Sequence, residues 1–184
     1  MAKLSVFNFM TLNGFYKGAD DGIQWHRHGA EESDYAKQGA NSGSTLLFGR
    51  RTYEMMASFW PTPMAAQMQP EMAKGMNASP KIVFSRTLQH AAWQNTRIVA
   101  TDPAGEIQRL KKEGKNMTIL GSGSIVTLCA EHGLVDEYKF MIDPVLIGNG
   151  TPVARTLSRT VDLVLISTRA FSSGVVLLTY APAS

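Results

Sequence analysis

Cysteine is almost missing from this chain: Cys129 is the single one among 184 residues. That excludes an internal disulfide and suits a reducing compartment, with Cys129 a small core residue on an apolar helical stretch. Charge is also scarce, at 18% of residues against 44% hydrophobic, and the net charge of +3 is mild. The basic residues are spread out, and the longest cluster, Arg109-Leu110-Lys111-Lys112, reads as the solvated face of a helix. No nucleic-acid surface is therefore expected. No apolar run is long enough to cross a bilayer, so no membrane partner is expected. Met1-Ala2-Lys3-Leu4-Ser5-Val6 leads straight into a strand without a signal-peptide layout, which makes the cytoplasm the expected location. Metal and nucleophile signatures are missing too. His26 and His28 flank one residue, yet no third ligand of suitable spacing stands nearby, so exposed loop histidines are the plainer reading. Ser122-Gly123-Ser124 carries no strained G-x-S-x-G elbow.

What is present is an alternation of buried strands and helices. Leu4 to Met10 is almost continuously apolar, as a central strand covered on both faces would be. Asn13-Gly14 turns it and Phe15-Tyr16 resumes briefly. A helix is expected from Glu31 to Asn41, with Ser33 or Asp34 as its cap. Ser44 to Phe48 is a second buried strand, Gly49-Arg50-Arg51-Thr52 the turn after it, and a short helix from Tyr53 is stopped by Pro61 and Pro63. Met64, Met68, Met72 and Met76 recur every four residues, a stripe that Pro70 divides. Core filler is the simpler account of it, and the wall of an adaptable pocket the other.

Lys81 to Phe84 and Thr96 to Ala100 are further strands, and Asp102-Pro103 opens a helix that Gly114 ends. Met117 to Leu120 makes a strand that runs through Gly121-Ser122-Gly123-Ser124 into a helix ending at Gly133. Val135 to Ile142 is another strand, followed by a glycine-bearing loop from Asp143 to Pro152. Val161 to Thr168 and Val175 to Tyr180 read as an antiparallel hairpin. The pattern implies one domain, residues 1–184, of α/β class, with a mostly parallel sheet flanked by helices and an antiparallel C-terminal edge.

A strand that passes through glycines into a helix points free N–H groups and a positive dipole end at one spot, which suits a phosphate. Gly121, Ser122, Gly123, Ser124 and Ile125 form such a spot, although Val126 stands where the dinucleotide fingerprint has its third glycine. Ligands of open α/β sheets sit beyond the carboxyl ends of the strands. Two more strands end in similar chemistry: Phe48-Gly49-Arg50-Arg51-Thr52 and Phe84-Ser85-Arg86-Thr87. An arginine fork matches a terminal phosphate, and no acid is placed for a free ribose 2′-hydroxyl, so NADP is favoured over NAD.

These pieces resemble the dihydrofolate-reductase-like group that includes the reductase domain of the bifunctional riboflavin-biosynthesis deaminase–reductase. The resemblance rests on Thr11-Leu12-Asn13-Gly14-Phe15, Gly49-Arg50-Arg51-Thr52-Tyr53-Glu54, Leu120-Gly121-Ser122-Gly123-Ser124, Gly133-Leu134-Val135-Asp136-Glu137 and Pro144 to Pro152, in that order along nearly the whole chain. It implies a mixed sheet, NADPH lying across the strand ends, and commonly a homodimer. It places Gly49, Arg50, Arg51 and Thr52 beside the adenine-side phosphates, Ser85 and Arg86 near the 2′-phosphate, and Gly121 to Ile125 around the pyrophosphate. Asn13 stands where many relatives have aspartate, and Thr11 where they have serine. Trp25 resembles the loop tryptophan of dihydrofolate reductase, while Glu31, Glu32 and Asp34 are all candidates for its helix carboxylate.

Hydride transfer needs little from a protein besides position, so the missing nucleophile does not argue against an enzyme. The expected activity is NADPH-dependent reduction of a small heterocycle, pterin-like or pyrimidine-like. The riboflavin-pathway reductase and a non-catalytic NADP-binding protein are the alternatives. Asn13, Trp25, Glu32, Gly148 with its loop, and part of the methionine stripe are the expected pocket residues.

Overall fold

The computed structural model describes residues 2–183, so Met1 and Ser184 lie outside the described residues. In chain order it runs β1 (Leu4–Thr11), β2 (Phe15–Gly18), α1 (Ala30–Ala40), β3 (Thr45–Gly49), α2 (Arg50–Phe59), α3 (Pro63–Met68), α4 (Pro70–Ala78) and β4 (Lys81–Phe84). There follow β5 (Thr96–Val99), α5 (Pro103–Lys112), β6 (Met117–Leu120), α6 (Gly123–Glu131), β7 (Glu137–Asp143), β8 (Gly150–Pro152), β9 (Leu163–Ala170) and β10 (Val176–Pro182). Eight strands form one sheet in the order β5-β4-β3-β6-β1-β7-β10-β9. The six strands from β5 to β7 are mutually parallel, and β10 and β9 add the antiparallel edge.

Burial follows from that order. β3 and β4 lie in the middle of the parallel part, and every residue of both is buried. Their side chains alternate between two cores. Leu47 and Ile82 face a cluster with Ile107 and Leu110 of α5 and Val126 and Cys129 of α6. Leu46, Phe48 and Val83 face the other way, against Tyr53 of α2, Met76 of α4 and Trp93. Taking each of these aliphatic side chains out of water contributes about 1.5–3 kcal/mol. Burial pushes the Cys129 thiol up to about 12, as for an inert core cysteine.

Several elements begin elsewhere than the sequence pattern suggests. Gly49 is extended and α2 starts at Arg50, so Arg50, Arg51 and Thr52 are the first turn of a helix rather than a turn before one. Ser33 and Asp34 lie inside α1, whose N-cap is Gly29 with no side-chain bond. Pro70 does divide the methionine stripe, opening α4 as its first residue. The two halves then differ: Met64 and Met68 are 61% and 66% exposed, while Met76 is in the core. The loop after β7 holds β8, which pairs with β2 as a separate two-stranded sheet.

Lys81 opens β4 with an ammonium buried under the end of α4. It donates to the carbonyls of Met76 (2.8 Å), Asn77 (3.3 Å) and Ser79 (2.7 Å), and lies 4.5 Å from the Trp93 ring centre. A helix C-terminus leaves such carbonyls without partners, and the cation meets both them and the dipole. Burial pulls the Lys81 pKa down to about 8, against the pull of the carbonyls and the indole face. Lys81→Met should cost about 1–3 kcal/mol at pH 7, read from urea midpoints, because the carbonyls lose a donor. The folded amine releases its proton below the unfolded value of 10.5, so wild-type stability rises from about pH 8 toward that value. The gap between the two proteins should widen over that interval.

Candidate functional site

The parallel order β4-β3-β6-β1-β7 brings five carboxyl ends to one rim of the sheet. Two strand-to-helix junctions there are bonded to each other. The Gly49 N–H donates to Ser122 Oγ (2.9 Å), and the Ser122 N–H donates to Thr52 Oγ1 (3.2 Å). The Gly123 N–H donates to the Tyr16 hydroxyl at 3.3 Å. This packing needs two consecutive left-handed residues, Gly121 (φ 60°) and Ser122 (φ 54°). Serine rarely adopts that conformation, and here its hydroxyl bridges the Gly49 N–H and the Leu120 carbonyl (3.2 Å). A Cβ on Gly123 would lie 2.7 Å from the Val153 carbonyl oxygen, so the backbone approach itself requires glycine.

Both helices that leave this junction start without a carboxylate, although the Gly123 N–H of α6 is already taken by the Tyr16 hydroxyl. Neither α2 nor α6 has a side-chain cap from its N-cap residue, and neither carries an acid in its first turn. Their positive ends therefore face no negative side chain of their own first turns, and lie beside Arg50, Arg51 and Ser124, which are all exposed. Arg50 is only loosely engaged with Glu54, at 3.9 Å. At the end of β4, Ser85 Oγ accepts from the N–H groups of Thr87 (3.2 Å) and Leu88 (3.0 Å), leaving Arg86 exposed on the same rim. Ile125 is a core residue, 6% exposed. Bonded junctions, two helix ends, close glycine approach and free guanidinium groups fit a phosphorylated dinucleotide.

A trough of about 970 Å³ runs from this rim down one face of the sheet. Arg51, Thr52, Tyr16 and Gly121 line its rim end, and Lys3, Ser44 and Asn116 its far end at the amino ends of the strands. Its floor includes Ser5, Phe7 and Phe9, and Tyr35 of α1, Met56 of α2 and Met72 of α4 contribute to its walls. β1 explains the opening. Leu4, Val6, Asn8 and Met10 are buried, whereas Ser5, Phe7 and Phe9 are only half-buried. A strand expected to be covered on both faces is covered on one.

None of Asn13, Trp25, Glu32 and Gly148 is among the residues lining the trough. Asn13 is held by its own loop: its Nδ2 donates to the Ile147 carbonyl (2.8 Å), and its Oδ1 accepts from the Thr11 hydroxyl (2.9 Å). Gly148 is exposed in that loop. Glu32 is 2% exposed and takes the Ser173 hydroxyl, while Glu31 takes the N–H (2.8 Å) and hydroxyl (2.7 Å) of Ser172. The helix carboxylates thus fasten the turn between β9 and β10. Trp25 keeps its indole N–H buried with no acceptor among the described residues. Of the methionine stripe, Met72 and Met76 reach the trough.

Sequence reasoning missed Tyr16, Phe7, Phe9 and a buried pair beside them. His26 is not an exposed loop residue. Its Nδ1 lies 2.8 Å from Asp143 Oδ2, its ring stacks on Phe9 at 3.7 Å, and the other Asp143 oxygen accepts the Arg27 N–H at 2.7 Å. Asp143 sits at the end of β7, and no periodicity links it to a loop histidine 117 residues away. Burial is the chief reason that the neighbouring His28 is held below the ordinary histidine range.

The sequence matches the RibD C-terminal domain family over residues 2–177. The chain belongs to that family. It is 30% identical to YyaP of Bacillus subtilis (strain 168), an uncharacterized protein, over 93% of this chain and 90% of the relative. Its fold is that of a Shewanella sp. PV-4 protein described as a riboflavin biosynthesis protein: TM-score 0.77, 20% identity, both chains covered in full. It also matches a Thermotoga maritima diaminohydroxyphosphoribosylaminopyrimidine deaminase/5-amino-6-(5-phosphoribosylamino)uracil reductase, with TM-score 0.69 and 13% identity, over 99% of this chain and 57% of that one. No helix among the described residues is long and apolar enough to cross a membrane.

The His26–Asp143 pair yields a stability test. Asp143→Ala strips two donors of a buried acceptor and should cost about 3 kcal/mol or more by denaturant unfolding. A loss below about 1 kcal/mol would show that His26 and the Arg27 amide find other acceptors.

Proposed function

We propose that this protein is an NADPH-dependent reductase that passes hydride to a small heterocyclic acceptor in the sheet-face trough. The observation that carries this reading is the shared mouth: Arg51, Thr52 and Gly121 belong both to the anion-suited rim and to the trough lining. A cofactor with its phosphates on the rim can therefore reach the trough with its other end. Bound NADPH would supply the hydride. The chain's own work is then to hold phosphates on the starts of α2 and α6, to orient the ring, and to keep water from the apolar floor formed by Phe7 and Phe9.

Arg86 is the side chain best placed to tell a 2′-phosphate from a hydroxyl, being exposed at the end of β4, next to β3. The required proton has few sources in the trough. The hydrogen bond from Lys17 holds the Asp21 carboxyl below its ordinary range, so it is ionised at neutral pH and cannot serve as the acid. The Tyr16 and Tyr35 hydroxyls and the lysine ammonium groups of the lining, with water at the trough mouth, are the donors that variants can test.

Fluorescence titration tests the assignment. NADPH should bind about tenfold or more tighter than NADH, and Arg86→Ala should remove most of that difference while leaving NADH affinity unchanged. Equal affinities in the wild-type protein would remove the 2′-phosphate site. Tight NADPH binding with no oxidation by any acceptor would favour a binding protein of the same fold.

The same reading includes a homodimer built on β9. Leu163, Val164, Leu165 and Ile166 are 37–59% exposed on an edge strand with one hydrogen-bonding side free. Such an edge invites pairing, and a two-fold copy of itself offers a matching strand. Sedimentation should give a dimer for the wild-type chain and a monomer for Leu165→Lys.

A further inference from the structure

Tyr16 lies across the rim that suits phosphate. It comes from β2, which stands outside the eight-stranded sheet and pairs with β8. Phe15 is opposite Pro152 and Lys17 opposite Thr151, so Tyr16 is the extra residue of a bulge. Bulges re-aim side chains, and the Tyr16 hydroxyl here accepts the Gly123 N–H at the start of α6, at 3.3 Å. Its ring covers both glycines of the junction: a Cβ added to Gly123 would stand 3.4 Å from it, and one on Gly121 3.9 Å.

The turn after β2 reaches the same rim. The Gly18 N–H donates to the Gly22 carbonyl (2.8 Å), Asp21 is left-handed (φ 63°), and Lys17 pairs with the Asp21 carboxylate. The Lys17 hydrogen bond is the chief reason that this carboxyl lies below its ordinary range, and the Arg51 guanidinium adds to the pull. Tyr16, Asp21 and Arg51 all line the trough, so one segment stands over both the rim and the trough mouth. It brings a hydroxyl oxygen to a helix-start amide and a carboxylate toward a rim arginine, the two kinds of group an anion would use.

A phosphate seated on α6 has to take the Gly123 N–H from Tyr16. An anionic oxygen is the stronger acceptor, and the helix dipole favours it further. The exchange is nonetheless a competition, and apparent affinity falls with the fraction of molecules in which Tyr16 has moved away. Little resists the movement. Gly14 ahead of β2 has φ 90°, and three register pairs hold β2 to β8.

We propose, on the reading of the rim as a phosphate site, that β2 is a flap whose Tyr16 hydroxyl stands in for a phosphate oxygen of the cofactor. The cofactor displaces it on binding, so Tyr16 lowers affinity for the cofactor rather than raising it.

Calorimetric titration of the full chain with inorganic pyrophosphate and with NADPH tests this. Tyr16→Phe keeps the ring and removes the competing oxygen, so it should bind both ligands about three- to tenfold tighter than wild type. Circular dichroism confirms that the variant is folded. Should it fail to fold, Asp21→Asn on the same flap decides. Pyrophosphate should then bind about twofold or more tighter, against no change for Asp34→Asn, the same change of charge on α1. Equal behaviour of those two variants overturns the proposal. It also falls if Tyr16→Phe gains nothing for a ligand that the wild type binds, or if neither protein binds pyrophosphate. Tighter pyrophosphate binding with no NADPH binding by either protein removes the reductase and leaves the flap standing, and unchanged binding of both ligands does the reverse.

Discussion

Ser122 fastens two strand-to-helix junctions into one object, and the rest of the candidate site depends on that fastening. Its hydroxyl takes the Gly49 N–H and its own N–H reaches Thr52, so the starts of α2 and α6 cannot move independently. The cost is a left-handed serine after a left-handed glycine. Strain of this kind, about 1–3 kcal/mol per residue, persists only where the surroundings over-determine it. Here two fully buried strands, β3 and β4, hold the junction from behind. Core packing, local strain and the aim of two helix dipoles are therefore one arrangement.

Much of this was legible in the sequence because it depends on backbone-level rules. Buried runs marked the strands, Asp102-Pro103 and Gly114 bounded α5, and Gly-Ser-Gly-Ser at the end of β6 marked the turn. Parallel order then forces the three strand ends onto one rim, whatever the side chains do. Starting α2 at Arg50 was not legible, since an extended Gly49 can enter a helix without a capping side chain and leaves no pattern.

What the sequence hid is long-range pairing. Nothing local in Asp143 announces His26, and nothing in Glu31 or Glu32 announces the Ser172-Ser173 turn, yet both partnerships draw loops against the end of the sheet. The same limit bears on the expected pocket residues Asn13, Trp25, Glu32 and Gly148, which do not line the trough. Asn13 looked available because it sits in a loop, but its side chain is spent on holding that loop, gripping Ile147 through two bonds. The trough instead comes from the half-buried face of β1, where Phe7 and Phe9 look like any core strand until one asks what covers them.

Rim and trough answer to different parts of the sequence, and this bears on how such a fold diversifies. The rim works through amide groups, helix ends and glycine clearance, which tolerate wide change in neighbouring side chains. The trough works through side chains alone, so a few substitutions alter its charge and outline without touching the sheet. Glu137 illustrates the point: one carboxylate on β7 pairs with two lysines and leaves one positive charge in excess there, which its loss would raise to two. Members of one family can therefore share such a rim while differing in what the trough admits.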